Sequence, residues 1–306
     1  MFERGTHRVV HIPNCTVQHP LINHVAAVVR RAIVDSGVTC YSEVAHAGLV
    51  RYLQVVVERS SQSAQVVLVA NSVTPAPLEP CLEMISSGLG ANLHSLWLNS
   101  HCEPSNVILG PVFHHCSGPA SVVERFGGPA VHYPPGAFGQ NNLDMAERIV
   151  AYVRERVPAG ASVAEFYSGV GAIGLSLLPT AGKIRMNEVS PQSLQGLELG
   201  LAALDAPDRA RVELVAGAAG AACSAASGVD VVIADPPRKG LDTELLEQLR
   251  REPPGRFIYV SCGLESFIDD TARLVGGGAL QLRELAAFNL MPFTEHVETV
   301  ACFEPA

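Results

Sequence analysis

Along the second half of the chain, short apolar runs alternate with stretches of helical spacing. The runs "SVAEF", "KIRMNEV", "RVELVAG", "DVVIADPP" and "RFIYVSCG" predict strands, and "HVETVACFE" predicts a last strand near the C-terminus. Helices are predicted over "LDMAERIVAYVRERV", with Asn141 or Asn142 near its start, and over "IGLSLLP", "PQSLQGLELGLAAL", "TELLEQLRR" and the stretch after "SCG". This alternation is that of an α/β unit with a parallel sheet. The first half reads differently. "PLINHVAAVVRRAIVDSG" predicts a helix that Pro20 opens and Gly37 closes. "LVRYLQVVVERS" and "AQVVLVANS" predict a hairpin, followed by a helix over "PLEPCLEMISSG" and a strand over "LHSLWLNS". The Gly/Pro-rich "FGGPAVHYPPGAFGQNN" reads as a linker or lining loop. The expected organisation is therefore a small α+β domain over residues 1–135, poised to contact substrate, and an α/β domain over 136–306.

Composition narrows this picture. Of 306 residues, 48% are apolar and 17% charged, which suits a packed core and argues against disorder. No apolar run reaches the length of a membrane span, and "MFERGTHRVV" lacks a signal-peptide profile, so no membrane partner is expected. The eight cysteines form no C-x-x-C pair and read as reduced thiols in a cytoplasmic setting, with an organelle open if a transit peptide precedes this numbering. His114, His115 and Cys116 are adjacent and lack the spacing of a closed zinc site, so no metal is expected. A formal charge of −9 is unusual for a protein that grips nucleic acid by its phosphates, although a local basic patch suffices.

The candidate chemistry lies at predicted strand ends. Gly169-Val170-Gly171-Ala172-Ile173-Gly174 is a G-x-G-x-x-G between a strand and a helix, a place where backbone can approach a ligand. Glu165 and Ser168 interrupt the preceding strand, and an acidic strand end suits a ligand with a cationic amino-acid part. Glu188 ends the next strand, where a carboxylate can accept ribose hydroxyls. A side chain at Gly171 is expected to block the approach of the backbone to that ligand. Asp235 closes the apolar run before Pro236 and Pro237, and Cys262 closes the next strand, so a strand–helix–strand crossover brings both to one sheet edge. A thiolate there is a candidate nucleophile, which requires a thiol pKa below the free value of about 8.5. Alternation in "HVETVA" places Glu298 and His296 on one face of a strand.

Together these residues resemble the RNA uracil-5-methyltransferases. The resemblance starts at "CTVQHPLIN", continues through "SNVILG" and "AFGQNN", and is sharp in "FYSGVG", "DPPRKGL", "YVSCG" and "HVETVA". It implies a Rossmann-like class I methyltransferase domain, S-adenosylmethionine as cofactor, and transfer of a methyl group to carbon 5 of a uridine in transfer or ribosomal RNA. By the same resemblance Cys262 attacks carbon 6 of the uracil, Glu298 removes the carbon 5 proton, and Asp235 bonds near uracil and cofactor. Gln140, Tyr167, Gly169, Gly171 and Glu188 match cofactor contacts. Many members carry an N-terminal RNA-binding barrel that is not seen here, and a protein partner that aids RNA binding is left open. Several members hold an iron–sulfur cluster; Cys15 matches only one of its four ligands, so no cluster is expected.

Four positions depart from the family. Ala172 stands where Asn is usual, Ala218 where an acid or amide is usual, Gly263 where Asn is usual, and Asp269-Asp270 where Arg-Asp is usual. Each change removes a hydrogen-bonding group worth about 1 kcal/mol net. A catalytically silent RNA- or protein-binding member is therefore the rival reading. A nicotinamide-dependent oxidoreductase would rest on G-x-G-x-x-G alone and is disfavoured by "DPPRKG".

Overall fold

The computed structural model describes every residue except Met1, Phe2, Arg4, His7, Arg8, Val9, Asn106, Phe293 and Glu295. Asn106, within "SNVILG", thus lies outside the described residues. Two compact units divide the chain, Met1–Val122 and Val123–Ala306. Among the described residues no helix is long and apolar enough to cross a membrane.

The first unit contains α1 (Pro20–Ser36), β1 (Val50–Glu58), β2 (Ser63–Ala70), α2 (Glu79–Leu89), β3 (Leu93–Ser100) and β4 (Val112–Ser117). Its sheet has the order β1-β2-β3-β4, with β2 and β3 parallel and the outer pairs antiparallel. Pro20 opens α1, where its missing N–H removes no helical bond, and Gly37 closes it at φ 70°. Val25 and Val29 of α1, Ile85 of α2, and Leu68, Leu96 and Leu98 of the sheet share one core.

The second unit begins with a two-stranded sheet, β5 (Val122–Arg125) and β6 (Ala130–Tyr133), and then α3 (Leu143–Arg154). The stretch expected to be a linker therefore holds a strand. β6 packs on a later helix: a Cβ at Gly196 would lie 2.3 Å from the His132 carbonyl. This packing is why the unit boundary falls at 122/123, ahead of the expected residue 135. β7 (Val163–Phe166), α4 (Ala172–Ser176), β8 (Ile184–Glu188), α5 (Pro191–Ala202), α6 (Ala206–Arg209), β9 (Val212–Ala216), β10 (Val231–Ala234), α7 (Thr243–Arg251), β11 (Arg256–Ser261), α8 (Leu264–Gly276), β12 (Leu280–Phe288) and β13 (Glu298–Pro305) follow.

Seven of these strands form one sheet in the order β12-β13-β11-β10-β7-β8-β9. β7 to β11 run parallel, and β13 returns antiparallel between β11 and β12. Chain order reverses at β7, which is followed by β8 on one side and bordered by β10 on the other. In open α/β sheets the crevice outside the carboxyl ends at such a switch point receives ligands. Here those ends are the glycine loop after β7 and Asp235 after β10. Phe166, Phe257, Tyr259 and Phe303 fill the core beneath.

Candidate active site

Three elements deliver side chains to the edge beside the switch point. β10 pairs in parallel with β11, Ala234 opposite Tyr259, so Asp235 and Cys262 leave the sheet at the same edge. β13 runs the other way, with Thr299 opposite Ser261 and the Thr299 hydroxyl donating to the Ser261 carbonyl at 3.2 Å. That register brings Glu298 to the end of β11 where Cys262 begins the turn into α8. The structure thus gathers Asp235, Cys262 and Glu298, as the sequence led one to expect. His296 does not join them: it is exposed and precedes the strand, which starts at Glu298.

The electrostatics of this trio differ from expectation. Glu298 is 4% exposed, its Oε1 has no hydrogen-bond partner, and burial pushes its carboxyl up to about 7, against the pull of the Arg238 cation. Asp235 is pushed up to about 8 by burial and by the Glu298 charge. Cys262 is half-buried, and its thiol is raised as well, first by burial and then by Glu298 and Asp235, with Arg238 opposing. The expected low thiol pKa is therefore corrected. Two carboxyl groups face the sulfur and one cation favours its thiolate. Arg238 is a residue the sequence reading left out of the site. Its signal was present in "DPPRKG", a turn closed by the Gly240 amide bonding to the Pro237 carbonyl at 2.9 Å.

On the other side of the switch point stands the glycine loop. Tyr167 takes φ 58°, a conformation costly for a residue with a side chain, and its hydroxyl accepts the Asp242 amide at 2.9 Å. The Gly169 amide donates to Glu188 at 2.7 Å, and Glu188 also accepts the Val189 and Ser190 amides. Three backbone donors fix this carboxylate at the end of β8 and leave it acceptor capacity for hydroxyl groups. Gly169 itself has φ 57° and nothing within 4 Å of a built Cβ, so its outer side is open. Gly171 is the reverse case. A Cβ there would meet Leu197 at 2.7 Å and Met186 at 3.0 Å, so a side chain breaks the packing of α5 and β8 and does not act on a ligand directly. Gly174 admits Glu165, whose Oε2 would lie 2.2 Å from a Cβ at that position. Glu165 is buried with Oε2 unpartnered, and burial and the neighbouring Asp235 charge raise its carboxyl well above the usual range.

Of the remaining expected site residues, Gln140 is half-buried in the loop before α3. Its neighbour Asn142 caps that helix, accepting the Met145 amide at 3.1 Å. Ala218 is exposed beside Gly217 on a solvent-open hollow of about 490 Å³ between the end of β9 and residues 221–227. One of the four departures has a structural reason, and the Asp retained beside another has a clear role. A Cβ at Gly263 would lie 2.7 Å from the Arg238 carbonyl, so glycine lets the two loops touch. Asp270 keeps a buried role, accepting the Tyr259 hydroxyl at 2.7 Å and the Leu241 amide at 2.9 Å. His114 and His115, adjacent to Cys116, contact Ser100 and the Gly118 carbonyl respectively, and among the described residues no three ligating side chains converge.

The site's fit to S-adenosylmethionine can be judged from this donor set. Glu165, Glu188, Asp235 and Glu298 act on one another along one edge. Held partly protonated by burial and by one another, these carboxyl groups ionise more readily beside cations, which suits a ligand with a sulfonium and an ammonium group. The open side of Gly169 and the fixed Glu188 suit close backbone approach and a ribose.

Comparison with known proteins agrees with this geometry. A family profile described as tRNA (uracil-5-)-methyltransferase matches residues 225–304, the segment that carries Asp235, Cys262 and Glu298. An RNA methyltransferase of Protochlamydia amoebophila, itself uncharacterised, is 33% identical over 99% of this chain and 81% of its own length. A similarly named protein of Gloeobacter violaceus is 29% identical, and this chain spans 65% of its length. Among solved structures, a Pyrococcus abyssi tRNA (uracil-54, C5)-methyltransferase bound to S-adenosyl-L-homocysteine superposes with a TM-score of 0.79 at 23% identity, covering 99% of this chain and 72% of that one. That likeness shows a shared fold.

Proposed function

The chain belongs to the RNA uracil-5-methyltransferase family, and on that premise we propose that it transfers a methyl group from S-adenosylmethionine to carbon 5 of a uridine in transfer or ribosomal RNA, through a covalent bond from Cys262 to carbon 6. The observation that carries the reading is the meeting of a half-buried thiol, two carboxyl groups of raised pKa and one arginine at the switch-point edge.

Carbon 5 of uracil is a poor nucleophile until addition at carbon 6 loads the ring with charge. Cys262 supplies that addition as the thiolate, its proton lost to solvent and Arg238 favouring the charged form. Asp235, pushed up to about 8, holds a proton at neutral pH and can donate a hydrogen bond to a uracil carbonyl as it gains charge. S-adenosylmethionine, when bound, supplies the electrophilic methyl group. Tyr167, Gly169, Glu188 and the half-buried Gln140 are the residues assigned to hold it, with Gly171 keeping the loop packed. Glu298 then takes the carbon 5 proton; a base near 7 is matched to neutral pH. As that proton leaves, the carbon–sulfur bond breaks and the ring double bond returns.

The test uses RNA from cells lacking the protein, with 5-methyluridine read by position. Cys262→Ala is expected to abolish methyl transfer while S-adenosylhomocysteine still binds in calorimetry. RNA carrying 5-fluorouridine should trap the wild type as an adduct on a denaturing gel, because fluorine cannot leave as a proton does. Methylation by Cys262→Ala would overturn the mechanism. RNA binding without any methylation by the wild type would favour the binding-module reading.

A further inference from the structure

The turn that carries Arg238 is held from the nucleophile's side by the helix that starts just after Cys262. Ser266, in the first turn of α8, donates its hydroxyl to the Arg238 carbonyl at 2.9 Å. One turn further on, Asp270 is 6% exposed and its Oδ2 accepts both the Leu241 amide and the Tyr259 hydroxyl. Two glycines make room for this contact. A Cβ at Gly240 would lie 2.5 Å from Asp270 Oδ2, and one at Gly263 would lie 2.7 Å from the Arg238 carbonyl. A buried carboxylate bonded to a backbone amide and a buried phenol is a fixed support, since losing it strands both donors. Ser266 and Asp270 lie four residues apart on one face of α8, so a single rigid helix carries both holds.

We infer that Asp270 and Ser266 are positioning residues that clamp the Pro237–Gly240 turn against α8 and so keep the Arg238 cation facing Cys262 and Glu298. This inference rests on the proposed use of Cys262 as nucleophile. Neither residue touches the reacting atoms; both act through Arg238. The charged groups that face Cys262 are Glu298 from β13, Asp235 from the end of β10 and Arg238 from the turn, the last being the one that favours the thiolate. A loosened turn would therefore make the thiolate harder to form, as would removing Arg238 itself.

The experiment measures Cys262 alkylation by iodoacetamide across pH, with the Cys262 peptide read by mass spectrometry, so that it needs no RNA. Asp270→Ala and Ser266→Ala are each expected to move the midpoint upward, by roughly half a unit or more for Asp270→Ala. Arg238→Ala should do the same, and the double variant Arg238→Ala/Asp270→Ala should move it no further than Arg238→Ala alone. Asp270→Asn should recover most of the wild-type profile, because its amide oxygen can still accept both donors. Methyl transfer, where present, should show a lower kcat for Asp270→Ala with KM for RNA little changed. If Asp270→Ala fails to fold, Ser266→Ala and Gly263→Ala decide, the latter forcing the turn outward. A folded variant with the wild-type midpoint, or shifts that add in the double variant, would overturn the clamp. Absence of methylation with the midpoint shifts intact would count against the proposed function and leave the clamp standing.

Discussion

Glu298 is the residue whose environment has the most direct consequence. Its carboxyl, ordinarily near 4.5, is held near 7 by burial. The folded protein therefore keeps a proton that the unfolded chain releases at lower pH. Between those two values the folded state binds more protons, so stability falls as pH rises through that window. Above pH 7 the full penalty of roughly 3 kcal/mol is present. Glu298→Gln removes it. The expected result in thermal unfolding is a higher Tm at pH 8 and little change at pH 5; a gain confined to pH 5 would show that the carboxyl is not held protonated. Activity should run the other way, rising with pH through 7 in the wild type. In Glu298→Gln the covalent protein–RNA adduct should accumulate, because the base that resolves it is gone. Asp235, Cys262 and Glu298 were legible in the sequence because each sits beside an apolar strand whose end is easy to locate. The direction of the Cys262 shift was not, because it depends on which charges reach the sulfur from β10, β13 and the turn. The support that Asp270 gives was not legible for the same reason: its partners, Tyr259 and Leu241, lie on other elements.

At the level of elements, the glycine loop separates two effects that the motif alone conflates. Gly174→Ala would push a Cβ to 2.2 Å from Glu165 and 2.6 Å from the tip of Met186. Both neighbours are buried, so the cost is expected at about 1–3 kcal/mol of stability. Gly169→Ala meets nothing within 4 Å and is strained only by its φ of 57°, about 1–2 kcal/mol. Denaturant unfolding should therefore place Gly174→Ala at or below Gly169→Ala in stability, while calorimetry with S-adenosylhomocysteine should show the larger affinity loss, per unit of stability lost, for Gly169→Ala. Equal affinity losses would mean that the open side of Gly169 does not face the cofactor. The buried parallel strands were readable because both of their faces are apolar. β12 was not: "LQLRELAAF" is an edge strand with an exposed bulge between Leu282 and Glu284, and its Leu, Glu and Ala content favours helix until β13 pairs with it. β4, with its "VFHHCS", lacks alternation for a similar reason, being an edge strand whose histidines bond to Ser100 and Gly118.

Across the whole molecule the charge is unevenly spread. Met1–Val122 holds six arginines and no lysine against seven carboxyl residues, while Val123–Ala306 holds fifteen basic and twenty-three acidic residues. An RNA ligand must therefore find its cations locally. Of the exposed candidates Arg30, Arg31, Arg238 and Lys239, two already hold carboxylates: Arg31 pairs with Asp35 and Lys239 with Asp242. Two or three phosphate contacts on single-stranded RNA give a slope of log affinity against log salt of about −2 or less in magnitude. Raising salt from about 50 to 200 mM should then weaken binding only about tenfold. A filter-binding series over that range measures the slope directly, and Arg238→Ala should reduce its magnitude by about 0.7 if that side chain meets a phosphate as well as the active site. The sign of the protein's field makes the alternative easy to recognise. A loss of a thousandfold or more over the same range would require a slope of about −5, roughly seven phosphate contacts on a single strand, and so a continuous basic surface in a chain whose 21 lysines and arginines are outnumbered by 30 acids.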